Sequence, residues 1–349
     1  MSAVRFMLDE EHSLTRRSPL ARYICGRLSG YNVVIVTLSI NAQGKVFTAV
    51  AACELRANFP NLVHFLLVGI GGGVPSQGTD VRLGDVVIGA PGDQHAGIVQ
   101  YDLGKEQIDG FVRRGYLAPP PRDLLEILPL EMSTLESKFT SSVKKVQDRC
   151  LYPQFIRPPP EQDLLFESTY PHSPGNDSCE CCDRCYVIPR SPRENDTMPT
   201  IHYGLIASGD RVIKNAIKRD ELAREAGGAI CFEMEAAGLM NDFPCLVIRG
   251  ICDYCDSHKN DAWHEYAAVA AAAVAKEILE LIHPGISPTK DPGTIVNIPR
   301  IEDTSANVQG DGPHLDAGLC PTVFSGTFNS GHGKQYNIGC VTGGSLFFG

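Results

Sequence analysis

No apolar run in this sequence is long enough to cross a bilayer. The longest is the alanine-rich stretch Tyr266–Ala275, closed by Lys276 and Glu277; a spanning helix needs roughly 18 apolar residues or more. Basic residues are in deficit: 31 Lys plus Arg stand against 41 Asp plus Glu, a formal net charge of −10. Such a chain lacks the electrostatic footprint of a general nucleic-acid or anionic-membrane binder. Neither a nucleic acid nor a membrane is therefore expected as a partner. The 13 cysteines are too sparse for a disulfide scaffold, which takes above roughly 8–10% Cys in a short chain. Their number is odd, and Cys53, Cys231 and Cys245 sit in apolar runs. Met1–His12 carries Arg5, Asp9, Glu10 and Glu11 and does not read as a signal peptide. Reduced thiols and a cytoplasmic setting are expected.

What is present is an ordinary globular composition, 43% hydrophobic and 21% charged, which excludes a wholly disordered chain. The 349 residues divide unevenly. Up to His283, short β-branched runs alternate with helical patterns. Strands are expected at Asn32–Leu38, Val63–Ile70, Asp85–Ala90, Ile98–Leu103, Tyr203–Ser208, Ala229–Phe232 and Cys245–Ile251. Helices are expected at Val46–Phe59, Leu135–Arg149, Asp210–Glu225, Glu235–Asp242 and Ala262–His283, with Asp210 as an N-cap and Gly227-Gly228 as a stop. The pattern predicts an α/β domain over residues 1–283, a mixed central sheet with helices on both faces. Within it, residues 152–199 are rich in Pro, Ser and Cys and read as a surface insertion. Residues 284–323 read as a linker and 324–349 as a Gly/Asn/aromatic tail.

Three runs carry candidate chemistry. The first is Gly69-Ile-Gly-Gly-Gly73, where a buried strand ends in glycines. Such a turn brings backbone N–H groups close to a phosphate or sugar, or it is simply tight. A dinucleotide fingerprint needs G-x-G-x-x-G opening a helix, and Val74-Pro75 does not supply it. The second is Phe232-Glu-Met-Glu-Ala236. Of Glu233 and Glu235, one can chelate a ribose diol, or both cap the next helix. The third is Ile248-Arg-Gly-Ile-Cys-Asp253. Asp253 at the end of an apolar strand can have a raised pKa and act as a general acid, or it can be a loop acid. Cys179, Cys182 and Cys185 have short zinc-like spacings, to which His172 can add, or are metal-free loop thiols. His258-Lys259-Asn260 reads as a solvated loop.

Taken in order with Ala207-Ser208-Gly209-Asp210, these motifs resemble the nucleoside phosphorylase superfamily. That superfamily includes purine nucleoside and uridine phosphorylases and methylthioadenosine/S-adenosylhomocysteine nucleosidases. The chain is most similar to the phosphorylase-like domains of fungi that are joined to NACHT or ankyrin modules. Those share Gln100–Lys105, Glu233–Met240 and Arg249–Asn260. The resemblance covers about residues 5–283 and implies cleavage of the N-glycosidic bond of a purine nucleoside or nucleotide. It implies that Gly69, Gly71, Gly72 and Gly73 line the ribose and phosphate side, Met234 lies against the sugar and Glu235 holds its hydroxyls. Asp253 would protonate the leaving purine; Ser208, Asp210, Glu233, Arg249 and Cys252 would support the site. The family commonly has serine where this chain has Cys252, so a hydroxyl hydrogen bond is expected to be lost. No cofactor is implied; the acceptor is inorganic phosphate, as co-substrate, or water. A homo-oligomer is implied.

Two ends depart from that pattern. Family members open with a strand and a turn carrying a functional glycine or acid. Met1–His12 matches the helix that follows, so the first strand is expected to be missing. Asn41–Thr48 also departs from the usual small-residue loop. The tail segment Phe324–Gly339 resembles fungal amyloid-signalling motifs, with low charge and Asn, Gln and aromatic residues suited to cross-β stacking. The alternative function is therefore a catalytically impaired, nucleotide-sensing signalling protein. Its tail would drive amyloid-type assembly with a partner carrying a matching motif.

Overall fold

The computed structural model describes residues 3–13, 21–38, 43–128, 132–149, 153–173, 178–193 and 198–282, with three short strands in the tail. In chain order the elements are β1 (Glu10–His12), β2 (Ala21–Leu28), β3 (Tyr31–Leu38), α1 (Gly44–Asn58), β4 (His64–Gly73), β5 (Val86–Gly89) and β6 (Ile98–Gln100). There follow β7 (Gly104–Gln107), β8 (Gly110–Arg113), α2 (Arg122–Ile127), α3 (Met132–Arg149), β9 (Ile201–Gly204), β10 (Ile206–Ser208), α4 (Ala216–Glu225), β11 (Cys231–Glu233), β12 (Leu246–Asp253) and α5 (His264–Ile282). The tail strands are β13 (Gly326–Asn329), β14 (Gln335–Ile338) and β15 (Ser345–Phe347).

The central sheet is mixed, in the order β6-β10-β11-β4-β12-β5-β9. β4 lies at its middle, parallel to β12 and antiparallel to β11. Every residue of β12 is buried, and so is β4 beyond His64. This explains why both read as continuous apolar runs rather than alternating ones. β1, β2 and β3 form a separate antiparallel sheet.

Helix α5 packs on β4, β5 and β12, and α3 packs on α5. Its alanines allow close approach: a Cβ added to Gly250 of β12 would lie 1.9 Å from Ala267 O. Any side chain at Gly250 would push helix and sheet apart. No helix among the described residues is long and apolar enough to cross a membrane.

Several expected elements change. Asp210 does not cap a helix: α4 starts at Ala216, and Asn215 accepts from Lys218 N at 3.0 Å. Asp210 is engaged instead by Lys45. The helix expected over Glu235–Asp242 shrinks to one 3-10 turn, Ala236–Gly238. The start of α1 crowds it, since a Cβ at Gly238 would lie 2.2 Å from Lys45 O. Ala3–Met7 is likewise a 3-10 turn, followed by β1 rather than by more helix. The stop at Gly227-Gly228 is present, both residues at positive φ, with Gly228 N donating to Ala223 O at 2.8 Å. In the tail, β13 pairs antiparallel with β14. The linker 284–323 lies outside the described residues.

Candidate functional site

The glycine run does not form the expected turn. Gly69–Gly73 is the second half of β4, paired on both sides. Gly72 is the pivot: it pairs with Phe232 of β11 on one side and with Asp253 of β12 on the other. A Cβ on Gly72 would lie 2.0 Å from Cys255 Sγ and 2.8 Å from Asp253 Oδ1. A Cβ on Gly71 would meet Cys231 Sγ at 2.6 Å, and one on Gly73 would meet Ile251 Cγ2 at 2.9 Å. The glycines are there because side chains from both neighbouring strands converge over β4, leaving no room for a Cβ.

On the β11 side, the two glutamates have different surroundings. Glu233 caps the turn: its carboxylate accepts from Glu235 N at 3.1 Å and from Ala236 N at 3.0 and 3.2 Å. It also pairs with Arg249 Nη2, which reaches Glu235 Oε2 at 3.3 Å. Ser208 Oγ accepts from Ala237 N at 2.9 Å, fixing the same turn from β10. Glu235 is thereby left with one guanidinium contact, shared with Glu233. Burial pushes its pKa up and the Glu233 charge adds to this. Arg249 and the N–H groups of Met234 and Gly44 pull it down, and the result is about 7. A small cavity beside this turn is lined by Gly72, Phe232, Glu233, Met234, Glu235, Arg211 and Lys259.

On the β12 side, Asp253 is buried but is not the protonated acid expected from sequence. Burial raises its pKa, yet Lys259, Cys252 and Cys255 N lower it more, and it falls to about 2. Lys259 Nζ lies 2.5 Å from Asp253 Oδ2, and Cys255 N donates to Oδ1 at 2.8 Å. The Cys252 thiol donates to Oδ2 at 3.1 Å. Cys252 thus makes its hydrogen bond through sulfur, a weaker donor than a hydroxyl. Lys259 is missed by sequence reasoning, because a polar triplet after a strand reads as solvated. Its position in the shared run Arg249–Asn260 was the signal available.

A third corner joins α1 to the site. Lys45 Nζ bonds both oxygens of Asp102 at 2.8 and 2.9 Å and lies 3.2 Å from Asp210 Oδ2. Asp210 N donates to Asp102 Oδ2 at 2.8 Å, and Gln100 Nε2 donates to Oδ1 at 2.9 Å. Gly44 at the head of α1 has φ +80, and a Cβ there would lie 2.6 Å from Asp210 Oδ1. Asp210 thus anchors the start of α1 beside the Met234–Glu235 turn.

The stretch read as an insertion walls the larger cavity, of 640 Å³, which Asp253, Lys259 and Trp263 also line. Its ends are pinned to the core. Arg193 bonds both oxygens of Asp85 at 2.7 and 2.8 Å, and His202 Nε2 lies 2.8 Å from Asp85 Oδ2. Arg190 bonds Tyr254 Oη at 2.8 Å, and Tyr254 Oη donates to Asp163 Oδ1 at 2.5 Å. Between these anchors, His172, Cys179, Cys182 and His258 bring their ligand atoms within 4.8 Å of one another. Cys185, expected as the third thiol, is exposed and outside that group; His258 takes its place.

With this geometry in hand, similar proteins can be placed. No family model matches the chain. A nucleotide-binding leucine-rich repeat (NLR)-like protein of Hyaloscypha variabilis is 40% identical over 290 residues, 81% of this chain and 28% of the relative. An ATP nucleosidase, Cap17, of Escherichia coli is 36% identical over 80 residues, 22% of this chain and 16% of the relative. The chain thus matches less than a third of the length of either. A 5′-methylthioadenosine/S-adenosylhomocysteine nucleosidase of Colwellia psychrerythraea, solved with adenine, superposes with a TM-score of 0.50 at 16% identity, over 80% of this chain and 90% of that one. The chain has a nucleosidase-like α/β fold.

Proposed function

We propose that the chain cleaves the N-glycosidic bond of a purine nucleoside or nucleotide, with water as the acceptor. One observation carries this reading: two buried carboxyl groups of different proton affinity lie beside Gly72, Asp253 paired with it from β12 and Glu235, just past β11, lining a small cavity with it. Pairs of carboxyl groups pushed apart in this way suit division into separate roles.

Glu235 accepts from the ribose 2′- and 3′-hydroxyls in its ionised form, with Met234 against the sugar. Its charge favours the positive character that develops on the ribose. The C1′–N9 bond breaks and its electron pair passes to the purine. A proton passes from Asp253 to N7, and water adds at C1′ and releases a proton to solvent, which balances the one that Asp253 takes up. In the substrate-free site Asp253 is a carboxylate and the proton is on Lys259. Lys259 lines both cavities, so substrate can draw its ammonium away. Burial then governs Asp253 and raises its pKa, so that it takes up a proton from solvent and delivers it to N7. The names of the E. coli and C. psychrerythraea proteins, both nucleosidases, support water over phosphate, and the former supports a nucleotide substrate.

The test is a panel of adenosine, inosine, guanosine, methylthioadenosine, AMP and ATP, incubated with the chain with and without inorganic phosphate. The expected result is free purine and free sugar or sugar phosphate at a rate that phosphate does not change. Release only with phosphate, yielding a sugar 1-phosphate, would overturn the choice of acceptor. No base from any member would overturn the reading.

A second reading concerns the tail and is favoured by the antiparallel pairing of Gly326–Asn329 with Gln335–Ile338. In it, the tail seeds cross-β assembly of a larger sensing protein. Thioflavin binding by a Phe324–Gly349 peptide supports this; a peptide that stays soluble and unstructured counts against it.

A further inference from the structure

We propose that His172, Cys179, Cys182 and His258 bind one zinc ion in a closed, structural site that fastens the inserted segment to the loop carrying Lys259. The donor set is two thiols and two imidazoles, which suits zinc over harder cations. Neither cysteine is in a disulfide. Cys179 and Cys182 have the two-residue spacing that lets one short turn present two sulfurs to one ion, and Cys179–Cys181 is such a 3-10 turn.

The distances agree with a tetrahedron. Zinc–sulfur and zinc–nitrogen bonds of about 2.3 and 2.0–2.1 Å put a sulfur and a nitrogen about 3.6 Å apart. Cys179 Sγ and Cys182 Sγ lie 3.8 and 3.7 Å from His258 Nδ1.

The surroundings prepare the ligands. His258 Nε2 lies 3.1 Å from Tyr170 O. A carbonyl only accepts, so the proton sits on Nε2 and the Nδ1 lone pair faces the two sulfurs. Carbonyl-fixed tautomers of this kind orient metal-binding histidines. The ring nitrogens of His172 face Ser173 O at 2.9 Å and Ser178 O at 3.2 Å. A neutral imidazole donates to one of them and keeps its other nitrogen for the ion. Phe166 stacks on His258 with centroids 3.9 Å apart and planes at 15°, and Tyr170 stacks at 5.4 Å. This aromatic cover holds the His258 ring in place.

Four protein ligands leave no position for substrate, so the site is structural rather than catalytic. Three ligands come from the segment between α3 and β9, and the fourth is next to Lys259 in sequence. The ion would therefore set the position of the loop that supplies the Asp253 counter-ion. This is independent of which bond the site cleaves.

The experiment is metal analysis of the full chain by plasma mass spectrometry, paired with cobalt(II) spectroscopy after chelation. The expected result is one zinc per chain. Cobalt should give tetrahedral bands with thiolate charge transfer, and chelation should lower the melting midpoint in a way that zinc restores. Cys179→Ser with Cys182→Ser should lose the metal, while Cys185→Ser keeps it. Wild-type protein with neither bound zinc nor a thiolate–cobalt band would overturn the proposal, even if the double variant failed to fold. So would a folded double variant that keeps its zinc.

Discussion

Lys259 Nζ rests 2.5 Å from Asp253 Oδ2, and this pair sets the protonation state of the proposed acid. Without the ammonium, burial would dominate and Asp253 would titrate above its ordinary range. Lys259→Met should therefore move the falling limb of the kcat/KM profile into the neutral range, where only protonated Asp253 donates. Stability should respond in the same sense. In the wild type the depressed pKa contributes stability above the unfolded value, lost as pH falls through about 2. In the variant, stability should instead fall as pH rises. Urea midpoints from about pH 4 to 8 read this; identical wild-type and variant trends would exclude the pair as the determinant.

Glu235 has the opposite sign. Its pKa is raised from 4.5 to about 7, so its contribution is fully present below the unfolded value and is lost as pH rises through 7. Glu235→Gln should gain on the wild type by about 3 kcal/mol between those limits. Activity should be lost in the variant, since the proposed ribose contact needs the carboxylate. Denaturant titrations and initial rates across this window check both.

Gly72→Ala tests the convergence of the strands. The added Cβ would collide with Cys255 Sγ and crowd Asp253 Oδ1, displacing the acid without removing it. A loss of about a hundredfold in kcat/KM is expected, with the circular dichroism of the wild type. Full activity would show that Asp253 does not need its position over β4.

Asp85→Asn tests the anchoring of the inserted segment. Asp85 is buried; burial alone would raise its pKa, but hydrogen bonds from His202 and Arg193 and the Arg193 charge lower it. Asparagine leaves Arg193 without its bidentate partner, at a cost of about 3 kcal/mol. Limited proteolysis should then cut first within residues 153–193, and an unchanged digestion pattern would contradict the anchoring role.

The strand-and-helix alternation was legible because buried strands of a mixed sheet carry unbroken apolar runs, as in β4 and β12. The carboxylates were legible as residues but not as roles. Nothing local distinguishes Glu233, which caps a turn, from Glu235, which is left to the cavity; Arg249 and Ser208 decide it from other strands. The apolar run around Asp253 favours a protonated acid, while the charge that overrides burial arrives from Lys259, six positions later. The inserted segment reads as surface by composition, since Pro and Ser hide the anchors Asp163, Arg190 and Arg193. The hairpin β7–β8 was missed because its first strand is exposed throughout and carries no apolar period.

The central claim is that Asp253 delivers the proton for glycosidic cleavage, and chromatography of free purine released by wild type and Asp253→Asn tests it most directly. The wild type should release base from at least one purine nucleoside or nucleotide, and the variant should lose at least about a hundredfold in rate while staying folded. Equal turnover by the folded variant would contradict the account.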